Sequence, residues 1–175
     1  MADFQLVHRP AVSDALASSN GTVALQPLPE GRVIHVLGNP DGGDLRPILA
    51  EFAGAAPHGL RSAGPGQWFI VGDSPITHDE FQAMAEKLAP HAFLVDQSHG
   101  RVRIGLKGTR IADVLAKGTG VDLYNLAIGV SAMTLVGHIS VHLTRLAPDA
   151  VELMVLRGFA ESLWDDLVRM SREFL

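Results

Sequence analysis

The stretch Leu94-Val95-Asp96-Gln97-Ser98-His99-Gly100-Arg101-Val102-Arg103-Ile104-Gly105-Leu106-Lys107 decides the fold. A short apolar strand, Ala92–Val95, ends in a polar turn, and a second strand begins directly after it. In the second strand Val102, Ile104 and Leu106 alternate with Arg101, Arg103, Gly105 and Lys107. That period of two predicts a half-buried strand with a basic, solvated face. Downstream, Ile111, Val114 and Leu115 have helical spacing, and Gly118 ends that helix. Ser131–Leu146 reads as one long strand. Met133, Leu135, Ile139, Val141 and Leu143 share one parity; Thr134, His138, Ser140, His142 and Thr144 share the other. Asp149 turns the chain into Val151–Leu156, its hairpin partner. The last helix puts Phe159, Leu163, Leu167, Met170 and Phe174 on one stripe, with Trp164 beside it. Asp165, Arg169 and Glu173 follow at four-residue steps on the outer face, where they can pair.

Upstream, Thr77 and Glu80 have capping-box spacing ahead of a helical face made by Phe81, Met84, Ala85 and Leu88, stopped by Pro90. Gly64-Pro65-Gly66 introduces a buried strand, Trp68–Val71. Asp44 is placed to cap a helix carrying Leu45, Ile48, Leu49 and Phe52, in which Pro47 falls in the first turn and so costs no hydrogen bond. Val33–Leu37 is a further strand. Residues 1–31 are a lead-in, where Pro10 opens a short helix through Ala17, closed by Ser19-Asn20-Gly21. The order is βαβαβ followed by βαββα. It predicts an α+β fold of two ferredoxin-like or related lobes, about 32–97 and 98–175, within one unit spanning 32–175.

Composition narrows the function classes. The chain is 47% hydrophobic with 19% charged residues, enough for a full core and for a face buried against another subunit; an ordinary compact monomer fits equally well. Net charge is −5 with no long basic run, which disfavours nucleic acid or an anionic membrane as partner. With no cysteine, thiolate catalysis, disulfides and cysteine-ligated metal centres are excluded. No secretory signal and no stretch of membrane-spanning length is visible, so the expectation is a cytoplasmic protein.

No local constellation makes an active site. His138 and His142, four apart on a strand, would stand ~13 Å from each other, too far to share an ion, and no zinc spacing is present. Asp96, Ser98 and His99 are the residue types of a nucleophile triad, but neighbours on one short turn point apart. Asp96 is better read as a turn acceptor. Asn39-Pro40-Asp41-Gly42-Gly43-Asp44 is glycine-rich before a helix, yet two of its residues are acidic and none is lysine, against a phosphate loop. Trp68 and Trp164 are core or interface aromatics.

Six motifs in order carry a family resemblance. They are Leu60-Arg61 with Gly64-Pro65-Gly66-Gln67-Trp68-Phe69-Ile70-Val71; Val95-Asp96-Gln97-Ser98 with Arg101; Ala116-Lys117-Gly118; Val121-Asp122-Leu123; Gly129 with Thr134; and Arg157-Gly158-Phe159-Ala160 with Leu163-Trp164 and Leu167. Together they resemble the gamma subunit of heterotetrameric sarcosine oxidase and, more distantly, the folate-binding domain of the glycine-cleavage T-protein aminomethyltransferases. Gly158 stands where the family commonly has serine. The folate-using enzymes carry an acidic residue after the equivalent of Gly129, whereas Gly137-His138-Ile139-Ser140-Val141-His142 holds no carboxylate.

The resemblance implies an aminomethyltransferase folate-binding-domain-like fold. It implies a non-catalytic gamma-type subunit of a complex that oxidatively demethylates sarcosine to glycine and passes the one-carbon unit to tetrahydrofolate. This chain would then have no active site, catalytic residue, metal or cofactor of its own. FAD, FMN, NAD and tetrahydrofolate would sit on the larger sarcosine oxidase subunits, its partners, and the isolated chain could self-associate. The alternative is a stand-alone folate-dependent C1-transfer or folate-binding protein, in which Asp96, Asp122 and His138 are the residues available to the folate.

Overall fold

The computed structural model describes residues 7, 9–13, 15–18 and 21–175. Two antiparallel sheets stack face to face, and each carries helices on its outer side. The strands of the first lobe are β3 (Arg32–Gly38), β4 (Leu60–Gly64), β5 (Gln67–Gly72) and β6 (Ala92–Asp96), in spatial order β4-β5-β3-β6. With α1 (Arg46–Ala53) and α2 (His78–Leu88) they run βαββαβ, the ferredoxin-like order. The second sheet has the order β1-β2-β7-β10-β9-β8, built from β1 (Leu16–Ala17), β2 (Ala24–Pro27), β7 (Arg101–Lys107), β8 (Ser131–Val136), β9 (Ile139–Ala147) and β10 (Ala150–Leu156). Its helices are α3 (Ile111–Ala116) and α4 (Ala160–Ser171), and a 3-10 turn, Arg157–Phe159, leads into α4. The fold is thus the expected α+β one, with a ferredoxin-like first lobe.

The strand alternation sorts side chains into two outer cores and one middle layer. Ile34, Val36 and Ile70 face outward onto Leu49, Ala53, Met84 and Leu88 of α1 and α2. On the second sheet Ile104, Leu143, Val151, Leu153 and Val155 face Ile111, Val114 and Leu115 of α3 and Leu163, Trp164 and Leu167 of α4. The opposite parities meet between the sheets, where the apolar contribution is small: Val33, Phe69, Val71 and Met154. Much of the rest of the layer is polar or charged, including His35, Arg61, Arg103, His142, Thr144 and Glu152. The Thr77–Glu80 capping box forms as expected, with Glu80 N–H donating to Thr77 Oγ1 at 3.2 Å and Thr77 N–H donating to the Glu80 carboxylate at 2.8 Å.

Several expectations are corrected. Ser131–Leu146 is a hairpin, not one strand. Gly137, at φ 59°, turns the chain in two residues and sets Val136 opposite Ile139. Cross-strand partners share a face, so Met133 and Leu135 lie with His142 and Ser140 and not with Val141 and Leu143. They are accordingly 49% and 54% exposed. The strand Arg101–Lys107 is covered on both faces, with Val102 through Leu106 all buried, because the first lobe packs over its basic side. Leu60–Gly64 is a strand that the sequence pattern does not announce. The described residues of the helix expected from Pro10 to Ala17 are not helical, and Leu16–Ala17 pairs with Ala24–Leu25 instead. Ser19 and Asn20, expected to close it, lie outside the described residues, as do residues 1–6. Phe159 is 53% exposed and leaves the buried stripe. Arg169 pairs with Asp166 at 3.2 Å and Glu173 with Lys117 at 2.5 Å, and neither joins Asp165.

Candidate functional site

The buried ionisable groups gather between the sheets. Arg61 enters from β4, Arg103 from β7 and Glu152 from β10, with 3%, 8% and 1% exposure. Each sits at an inward parity of its strand, so register alone brings the three together. Arg61 Nη1 and Nη2 donate to Glu152 Oε1 and Oε2 at 2.6 and 3.0 Å. Arg103 Nε and Nη2 donate to the same two oxygens at 2.8 and 3.0 Å. Arg61 Nε–H also donates to the His58 carbonyl at 2.9 Å, and Arg103 Nη1 to Asp73 Oδ1 at 2.8 Å. The carboxylate is therefore clamped in two-pronged fashion from both sides, the geometry in which guanidinium recognition is strongest. Burial alone would raise the Glu152 pKa, but the hydrogen bonds and charges of Arg103 and Arg61 outweigh it and hold the group at about 2. A cavity of about 360 Å³ opens onto this network, lined also by Leu28, Val71, Lys107 and Leu146.

A second cluster adjoins it around Phe69. The His142 ring meets Phe69 edge-on at 5.1 Å, His35 lies 4.7 Å from it, and the Arg101 guanidinium covers the ring at 4.7 Å. His142 is fully buried, and burial lowers its pKa to about 4 despite the Ser62 hydrogen bond. The neutral ring must donate from Nε2 to the Ser62 carbonyl at 2.9 Å, because a carbonyl only accepts. Its Nδ1 is then the acceptor facing the Thr144 hydroxyl at 3.5 Å, and Thr144 is in turn bonded to Ser131 at 2.9 Å. On the other side Gln97 Oε1 accepts from Arg101 Nε. The Gln97 amide N–H therefore points to His35 Nδ1 at 3.4 Å, and His35 Nε2–H donates to Gln67 Oε1 at 3.2 Å. The polar atoms of the layer satisfy one another.

This arrangement locks the two lobes together but is poorly poised for proton transfer. A carboxyl held at about 2 with both oxygens occupied is a weak general base near neutral pH. The carboxylates and imidazole named from sequence lie elsewhere. Asp96 closes β6 and accepts from Ser98 N–H and Oγ at 2.9 and 2.5 Å, and Ser98 Oγ accepts from Val33 N–H at 3.0 Å. This is the turn role expected of Asp96. Asp122 accepts from Tyr124 N–H at 3.1 Å and Asn125 Nδ2 at 2.6 Å, and these bonds lower its pKa. His138 occupies the β8–β9 turn. None of the three lines the inter-sheet cavity, and no common site collects them. Among the described residues no three His, Asp or Glu side chains are grouped to hold a metal ion.

Sequence reasoning gave Arg61 and Glu152 no role in a site, read Arg103 as solvated, and weighed His142 only as half of a rejected metal pair. A signal was available for one of them: Glu152 is the lone charge in the apolar run Ala150–Leu156, a position that needs a buried partner.

No family model and no curated protein matches the chain by sequence. Similarity to solved structures is clear. A chain of heterotetrameric sarcosine oxidase from Corynebacterium sp. U-96, solved in complex with pyrrole 2-carboxylate, superposes with a TM-score of 0.78 at 18% identity, covering 90% of this chain and 88% of that one. Glycine cleavage system aminomethyltransferase T from Bartonella henselae superposes with a TM-score of 0.61 at 16% identity over 82% of this chain. The match takes in 45% of the aminomethyltransferase, so this fold makes up less than half of that enzyme. No described helix is long and apolar enough to cross a membrane. The chain has the fold shared by a subunit of a sarcosine oxidase and part of a glycine-cleavage aminomethyltransferase.

Proposed function

We propose that this chain is an accessory, gamma-type subunit of a sarcosine-oxidase-like hetero-oligomer and performs no reaction step itself. The observation that carries the reading is mutual coverage. The likeness spans 90% of this chain and 88% of one chain of a heterotetrameric oxidase, so the two are similar as whole subunits. The site chemistry supports it, since Glu152, the one carboxylate among the described residues held deep between the sheets, is consumed by Arg61 and Arg103. FAD, FMN, NAD and tetrahydrofolate then belong to the larger subunits. Co-expression with those subunits, followed by purification through a tag on this chain, is the test. Stoichiometric recovery of a flavin-containing complex is expected, with no sarcosine oxidation by this chain alone. Recovery of this chain by itself from such co-expression would contradict the assignment.

A second reading, a stand-alone folate-binding or C1-transfer protein, is favoured by the cavity of about 360 Å³ beside two arginines. A folate bound there would meet guanidinium N–H groups, with Asp96, Asp122 and His138 outside the lining.

A further inference from the structure

We infer that the free edge of β6 is a self-pairing surface through which two copies of this chain join their four-stranded sheets. The two sheets have four edges: β4 and β6 on one, β1 and β8 on the other. β4 packs against β8, and β1 is two residues long. β6 remains, five residues with no strand on its outer side among the described residues. It lacks the usual protection of an edge: no proline, no lysine and no bulge interrupts Ala92-Phe93-Leu94-Val95-Asp96. On it Phe93 and Val95 are 70% and 43% exposed on one face.

The ladder to β3 determines which backbone groups are available. Asn39 N–H donates to the His91 carbonyl and Gln97 N–H to the Val33 carbonyl. In an antiparallel pair such bonding residues alternate, so Phe93 and Val95, opposite Leu37 and His35, also turn their N–H and C=O toward β3. Ala92, Leu94 and Asp96 turn theirs outward. A second β6 can meet these groups about a two-fold axis at Leu94. Leu94 then bonds its own copy, and Ala92 bonds Asp96 of the other chain, giving about six hydrogen bonds. In the same register Phe93 faces Val95 across a non-hydrogen-bonded pair, where side chains approach most closely. Asp96, the strand's single charge, meets Ala92 and not itself. An axis at Phe93 or Val95 gives about four bonds, between Ala92 and Leu94 or between Leu94 and Asp96, and sets one apolar residue against its own copy and the other against His91 or Gln97. An axis at Ala92 or Asp96 pairs neither apolar residue with the other. The Leu94 register is preferred because it makes the most backbone bonds and sets Phe93 and Val95 against each other.

Because five-residue strands bury far less than the ~1,600 Å² of a standard interface, the association should be weak, with a dissociation constant roughly micromolar to millimolar. Sedimentation equilibrium of the full chain over a concentration series should show the mass rising reversibly from 18.7 kDa toward twice that value. The variant Phe93→Lys with Val95→Lys should stay monomeric, since like charges then face each other. Phe93→Lys with Val95→Glu should dimerise again, because that pairing sets lysine against glutamate. The chain has no cysteine, so trapping has no background. A mixture of the single variants Phe93→Cys and Val95→Cys should form disulfide-linked heterodimers, and each alone should cross-link several-fold less. Any of three results would overturn the inference: a monomer at every concentration reached, a dimer indifferent to the lysine pair, or cross-linking no better in the mixture than in the single variants. A monomer whose β6 amides gain exchange protection on adding partner subunits would reassign the edge to a partner's strand.

Discussion

The outer cores and the middle layer use the same strands in opposite ways. On β10, Val151, Leu153 and Val155 face α3 and α4 in an apolar core, while their neighbours Glu152 and Met154 face the other sheet, where Glu152 is held by two arginines. Outer-core contacts are non-directional and tolerate sliding. The middle layer is directional: four guanidinium N–H bonds to one carboxylate and a histidine aimed at one carbonyl fix a single way for the lobes to meet. Burial stabilises each half of the molecule, and polar complementarity sets how the halves dock.

Neighbours on β10 allow the sharpest test. Glu152→Gln leaves Arg61 and Arg103 buried without a full counter-charge and should lower unfolding free energy by about 3–5 kcal/mol. Leu153→Ala, one residue away and facing α4, should cost about 3 kcal/mol through an apolar cavity. Urea denaturation of both variants checks this. Equal loss from Glu152→Ala and Glu152→Gln is expected if charge compensation dominates. A negligible effect of Glu152→Gln would mean that the network is ornamental and the apolar patch of Val33, Phe69, Val71 and Met154 holds the lobes alone.

The middle layer should also be the acid-sensitive part. His142 is held near 4 in the folded state against 6.5 when unfolded, so the unfolded chain binds more protons between those values. Stability is therefore complete above 6.5 and falls as pH drops toward 4, by roughly 3 kcal/mol at most. Glu152, held near 2 against 4.5, adds a further loss below pH 4.5. Denaturation midpoints measured across this range should slope downward with acid in the wild type. His142→Gln, which keeps a donor for Ser62, should flatten the segment between 6.5 and 4.5. An unchanged slope would place the responsible proton elsewhere.

The smallest effect concerns Phe159. Being 53% exposed on the turn into α4, it should tolerate alanine within about 0.5 kcal/mol, whereas Trp164→Ala should cost about 3–5 kcal/mol. Thermal melts of the two variants separate the core of α4 from its surface.

These contrasts explain what was legible from sequence. The helices and outer-core strands were, because Ile111, Val114 and Leu115 or Phe81, Met84 and Leu88 advertise their faces by period. The β8–β9 hairpin was not, since parity runs unbroken through Gly137-His138 while the turn reverses which face Met133 and Leu135 occupy. β4 was hidden because its inward residues are Arg61 and Ala63 and Leu60 is its one large apolar residue. The same cause hid the middle layer. A strand buried on both faces with charges pairing across the gap looks, in one dimension, like a strand with a solvated side, which is how Arg101 and Arg103 read, while Lys107 at the strand's end is indeed exposed. Asp96 and Asp122 stood out because acids near turns are conspicuous, and their own turns occupy them.

The central claim is that the inter-sheet layer is a saturated docking seam and not a working folate site. Calorimetric titration of the purified chain with tetrahydrofolate tests it most directly. The account predicts no saturable heat below millimolar ligand, in the wild type and in Asp96→Asn alike. Micromolar binding that is lost in Arg61→Lys or Asp96→Asn would contradict it and make this chain a folate-binding protein in its own right.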